Sequence, residues 1–106
     1  MEHREIRQCL AECRFTDHAR REMETESLGV IRVDEVLQAL DTGEIIEEYP
    51  EDRPYPSCLV LGPDADGHPV HSVWAYNAKT RWAVLVTVYR PDPNLWVDWR
   101  LRREDI

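Results

Sequence analysis

The sequence predicts an α+β domain, with short N-terminal helices packed on one face of a four-stranded antiparallel sheet. Three observations carry that expectation. The run Trp82–Tyr89 (WAVLVTVY) is rich in valine and aromatics and has no glycine, proline or acid, which suits a central strand covered on both faces. Val33, Val36, Leu37 and Leu40 recur at the i, i+3, i+4, i+7 spacing of a helix with one buried side. Short connections join the later segments, and one of them, Pro63–Gly67 (PDADG), ends in the Asp-Gly pair of a tight turn. With 106 residues the chain is a single domain with a modest core.

Taken in order, Ile6, Leu10 and Cys13 predict a first helix from about Glu2 to Glu12. Thr16 offers an N-cap oxygen to a second helix, Asp17 to about Ser27, with Asp17 placed against the positive helix end and Gly29 as its left-handed stop. The third helix carries the valine–leucine stripe and ends at Gly43. Four strands follow: Glu44–Tyr49, Ser57–Leu61, Pro69–Tyr76 and Trp82–Tyr89, arranged as a meander and ended by Pro91 and Pro93. On the last strand, simple alternation sets Val84, Val86 and Val88 against Ala83, Leu85, Thr87 and Tyr89. Both sheet faces want cover, and the tail with Trp96 and Trp99, or a partner protein, is available for the second.

The net charge is −8, and it is uneven. Met1–Pro56 holds seven basic and fifteen acidic residues, whereas Ser57–Ile106 holds six of each. A broad polyanion footprint is therefore disfavoured, while a compact site for one or two phosphates on the sheet half is not. No apolar run approaches the roughly 20 residues that cross a bilayer, and the first residues (MEHREIRQ) lack a signal-type apolar segment. Three cysteines, an odd number, argue against a disulfide framework. A reducing cytoplasm is the expected location.

Candidate chemistry is scattered rather than gathered in a motif. His18, in the first helical turn, meets the positive end of the dipole, which favours the neutral, proton-accepting imidazole; alternatively it packs or assists capping. His68 and His71 sit three apart on a strand, so they face opposite ways and do not share a metal. Cys9, Cys13 and His18 match no zinc module, and no metal or cofactor is expected. Tyr89 ends the last strand, where its hydroxyl either reaches a ligand at the sheet rim or stays in water above a ring packed in the core; Arg81 lies before that strand and Arg90 after it. Glu47, Glu48, Glu51 and Asp52 read as a solvated strand and loop, and Trp96 and Trp99 as packing rather than a base-stacking platform.

The segment order FTDHARREM, V-x-x-AL-x-x-GEIIEEYPED, SCLVLG, G-x-P-x-HSV and VTVY resembles a widespread bacterial family of small proteins of unknown function, itself similar to the BrnT, RelE and MqsR-type toxins. The likeness runs roughly from Arg14 to Trp96. It implies a small helix-plus-sheet fold that cuts mRNA without a metal, and a cognate antitoxin, often of the MqsA zinc-finger type. By position it carries the family's two histidines to His18 and His71 and its closing tyrosine to Tyr89; for RNA cleavage we assign His18 and His71 to proton transfer, Tyr89 to orientation or proton donation, and Arg21, Arg81 and Arg90 to the phosphate. Two positions depart from the pattern: Glu22 and Glu26 stand where many members carry arginine. Those acids, with the net charge, favour a second reading, a non-catalytic acidic module that docks a basic protein partner on its helices or adds a strand at a sheet edge.

Overall fold

The computed structural model describes residues 13–77 and 79–105; the helix expected from Glu2 to Glu12, and Cys9 with it, lies outside the described residues. The described chain opens with a short strand, β1 (Cys13–Phe15). Thr16 then caps α1 (Asp17–Thr25), its hydroxyl accepting the Ala19 N–H at 3.0 Å. Gly29, at φ +121°, turns the chain after α1. The second helix, α2 (Val33–Thr42), buries Val36, Ala39 and Leu40, while Val33 in its first turn stays 49% exposed. This helix lies very close to the sheet. A Cβ at Gly62 would stand 2.4 Å from the Ala39 carbonyl oxygen, and one at Gly43 would stand 2.3 Å from that of Leu61.

The remaining elements are β2 (Glu44–Tyr49), β3 (Ser57–Pro63), β4 (Pro69–Asn77), β5 (Trp82–Tyr89), a small hairpin of β6 (Trp96–Val97) and β7 (Leu101–Arg102), and a 3₁₀ turn, Arg103–Asp105. The main sheet has five strands in the order β1-β5-β4-β3-β2 and is mixed. The expected four-stranded antiparallel sheet is thus overturned. β2 to β5 run antiparallel in sequence order, but β1 adds to the outer edge of β5 in parallel, pairing Cys13 with Ala83 and Phe15 with Leu85. The described residues contain two α-helices, and Cys13, read from its spacing as helical, is a strand residue. Three residues hold too little period to announce a strand; the unpaired edge of β5 recruits them.

One sheet face carries the main core. Ala19 and Met23 of α1 and Val36 and Leu40 of α2 pack with Cys58, Val60, Val70, Trp74, Ala83, Leu85 and Val88. Trp74 is fully buried, its indole N–H satisfied by Ser72 Oγ at 2.9 Å. That grouping corrects the simple alternation along β5. The register slips by one between Val73 and Trp74, which face Thr87 and Leu85, so Val86 is a bulge. Val88 therefore joins Ala83 and Leu85 in the core, and Tyr89 moves to the face of Val84 and Trp82. Val86 is 38% exposed, so β5 is not covered on both sides as expected.

The second face is covered in part by the C-terminal segment. Trp96 is buried against His71, and the hairpin's ion pairs and hydrogen bonds reach Glu44, Glu47 and His71. The far end of that face, where Arg14 pairs with Val84 and Asn77 with Trp82, remains partly open.

Candidate functional site

A cleft of about 400 Å³ opens between the end of β5 and the C-terminal segment, walled by Tyr89, Arg90, Trp96, Arg102, Arg103 and Glu104 among others. Its floor begins with β4 and β5 register: His71 lies directly across from Tyr89. His71 is fully buried, with Nε2 2.6 Å from the Trp99 carbonyl oxygen and Nδ1 3.2 Å from the Tyr89 hydroxyl. A carbonyl only accepts, so Nε2 carries the proton and Nδ1 accepts from Tyr89. Burial pushes the His71 pKa down, against the pull of the Trp99 carbonyl and Glu47, and pushes the Tyr89 pKa up. The pair is a neutral imidazole holding a phenol proton.

The hairpin delivers that carbonyl at a conformational expense. Asp98 and Trp99, the central turn residues, have φ of +51° and +65°. Left-handed backbone is tolerated by aspartate but disfavoured by about 1–2 kcal/mol for a residue such as tryptophan. The ring of His71 is then wedged between Tyr89, 5.3 Å away, and Trp96, 4.5 Å away, both near edge-on.

Arginines line the cleft, and each is engaged. Arg102 grips Glu47 through Nε and Nη2 at 3.0–3.2 Å and lies 4.8 Å over the Trp96 ring. Burial alone would raise the Glu47 carboxyl, but Arg102 and the Tyr49 hydroxyl outweigh it and hold the pKa below its usual value. Tyr49, half-buried and donating to that carboxylate, is pushed up to about 12. Arg90 bonds Asp64 at 3.2 Å and the Gly29 carbonyl at 2.6 Å, and Arg103 bonds the Pro93 carbonyl at 2.9 Å. Asp64 is buried and accepts the amides of Asp66 and His68 at 2.9 Å as well as Arg90. Asp64, Asp66 and His68 have ligand-type atoms within 4.8 Å of one another, yet the Asp64 oxygens are occupied in building the turn.

Of the residues singled out from sequence, the structure brings Tyr89 and Arg90 to the cleft wall, with His71 buried behind the Tyr89 hydroxyl. His18 does not line it. It is exposed on α1, with Nε2 3.3 Å from Glu22. Arg21 is exposed on α1, and Arg81 sits at the opposite end of β5, exposed at φ +56°. Glu22 accepts the Thr87 hydroxyl at 2.6 Å and the Val88 amide at 3.0 Å, closing the edge of β5 beyond the reach of β1. An acid there has a structural task that an arginine could not perform, because the edge offers donors. Sequence reasoning passed over Glu47, Arg102 and Arg103. Glu47 and Tyr49 share a strand face, which was a signal for Glu47, but the Arg102 partner is 55 residues away and left none.

Residues 15–90 match the family described as Domain of unknown function (DUF4258). The match carries no relationship to the BrnT, RelE or MqsR-type toxins. No curated protein and no solved structure matches the chain. Among the described residues, no helix is long and apolar enough to cross a membrane.

Proposed function

We propose that this chain, which belongs to the DUF4258 family of unknown function, is a metal-independent, toxin-type ribonuclease acting on single-stranded mRNA, held in check by a cognate antitoxin. The observation that supports it is the Tyr89–His71 pair opening onto an arginine-walled cleft. In this reading the ribose 2′-oxygen attacks the adjacent phosphorus as its proton passes to the Tyr89 oxygen. Tyr89 hands its own proton to Nδ1 of His71, and the bond from phosphorus to the 5′-oxygen breaks, that oxygen taking a proton from water. The products are a 2′,3′-cyclic phosphate and a free 5′-hydroxyl. Against burial and Arg102, which disfavour the imidazolium formed on His71, the Trp99 carbonyl and Glu47 favour it, and Arg90, Arg102 and Arg103 line the cleft where charge grows on the phosphate. Tyr89 is the catalytic residue, His71 a relay behind it. His18 is not used.

The test is cleavage of a single-stranded RNA in the presence of a chelator, with detection of the cyclic phosphate. A native protein that neither cuts RNA nor slows growth on expression removes the reading.

A second reading, the non-catalytic interaction module, draws on Leu28, Val30 and Val33, which are 78%, 59% and 49% exposed beside the acids Glu24 and Asp34. It requires that the purified chain leave RNA intact and bind the product of a neighbouring gene, and that Leu28→Asp abolish that binding.

A further inference from the structure

We infer that the open end of the sheet's second face is a subsite for one unpaired nucleobase and its phosphate, the base lying on Trp82 and the phosphate on Arg14; this rests on the ribonuclease reading and extends it. The cavity there measures about 410 Å³; among the described residues it is lined by Arg14, Thr80, Trp82, Ala83 and Val84, and none of these is a carboxylate. That volume suits a nucleotide-sized ligand. The register explains the arrangement. Arg14 pairs with Val84 across the parallel β1–β5 ladder, so its side chain shares a face with Val84 and with Trp82 two residues away.

Three features set this cavity apart from an ordinary surface dimple. Trp82 is half-buried and held in place by a T-shaped contact with Tyr55 at 4.7 Å and 89°. Such a contact leaves at least one indole face clear of Tyr55, and Trp82 is part of the cavity wall. Arg14 is exposed, and among the described residues nothing pairs with it, unlike Arg90, Arg100 and Arg102, each held by an acid. Lys79 and Arg81, both exposed, flank the same turn and add positive charge. An aromatic plane beside free cations is the recurring chemistry of single-strand binding, because stacking needs a base already out of a duplex and the cations take the phosphates.

The bulge at Val86 links this subsite to the cleft. Trp82 and Tyr89 are an odd number of residues apart and would point to opposite faces on a regular strand; the slip puts them on one face. Seven residues at about 3.3 Å each separate them by about 23 Å, so one strand several nucleotides long would occupy both, whereas a dinucleotide would reach only the cleft.

The test uses an eight-nucleotide oligouridylate, 2′-O-methylated so that it cannot be cut, with fluorescence anisotropy at low salt. Trp82→Ala should weaken its binding by about 5- to 150-fold, Trp82→Phe should restore most of it, and Arg14→Ala should weaken it without unfolding the protein. On unmethylated RNA, Trp82→Ala should raise KM for the eight-mer and leave dinucleotide cleavage unchanged. Equal affinity of native protein and Trp82→Ala, no native binding of the eight-mer, or equal binding of its duplex form each overturns the subsite. Trp82-dependent binding without any cleavage keeps the subsite and removes the ribonuclease reading; cleavage with KM indifferent to Trp82 does the reverse.

Discussion

The two ends of β5 lie on the same sheet face but handle polar groups in opposite ways. At the Tyr89 end, the C-terminal hairpin covers the sheet, His71 is sealed beneath it, and Arg90 and Arg102 are bonded to Asp64 and Glu47. At the Trp82 end no hairpin arrives among the described residues, and Arg14, Lys79 and Arg81 are exposed beside a half-buried indole. The difference separates two tasks. Buried, satisfied groups hold a fixed geometry because an unpaired charge there is expensive. Exposed, unpaired cations supply attraction and reach without shaping the fold. A protein that uses both ends would do its chemistry at the rigid one and its gripping at the loose one.

The comparison can be broken at several points. The largest expected effect is Tyr89→Phe, which keeps the ring and removes the hydroxyl. RNA cleavage should fall at least about 10²-fold, within the range for a general acid–base group, while binding of the methylated eight-mer stays within twofold. Equal loss of cleavage and binding would erase the division of labour.

Next is the pH dependence of stability. The folded pKa of His71 is depressed, so the native state binds fewer protons than the unfolded chain once the pH falls below the unfolded value near 6.5. Its contribution is complete above that pH and is lost as pH falls toward the folded value, by up to about 1.4 kcal/mol per pH unit. Urea melts between pH 7.5 and 5 should show this acid-side decline, and His71→Gln should flatten it. A native profile with no slope there would mean that the closed end does not hold a neutral imidazole. The carboxylates Glu47 and Asp64, whose pKa values are lowered, add their own losses only at lower pH.

Smaller effects sharpen the contrast. Thr16→Ala removes the α1 cap and the bond from its hydroxyl to the Val86 carbonyl, and should lower stability by about 1 kcal/mol in urea melts. Arg102→Met should lose up to about 1 kcal/mol, since its ion pair with Glu47 is only partly shielded from water. Arg14→Ala should change stability by less than about 0.5 kcal/mol and instead reduce the salt slope of single-strand binding by about 0.7. A destabilising Arg14→Ala would show that the open end is structural after all.

Much of the secondary structure was legible because its signals are local. The Thr16 cap, the α2 stripe from Val36 to Leu40 and the unbroken run of β5 each sit within one or two turns of chain. β1 was not legible, because three residues carry no period and its partner is some 70 positions away. The candidate site was legible only in part. His71, Tyr89 and Arg90 flank strand ends where rim chemistry is expected, but nothing near Glu47 in sequence announces Arg102.

By itself the amino-acid order determined where helices and most strands begin and end, since caps, turns and hydrophobic periods act over a few residues. Only the tertiary structure decided which face Tyr89 occupies. A single bulged residue, Val86, reverses the parity of β5, and it exists because β4 and β5 must keep Trp74, Leu85 and Val88 together in one core. Packing across strands set that register, and with it the meeting of a phenol, an imidazole and the arginines of the cleft.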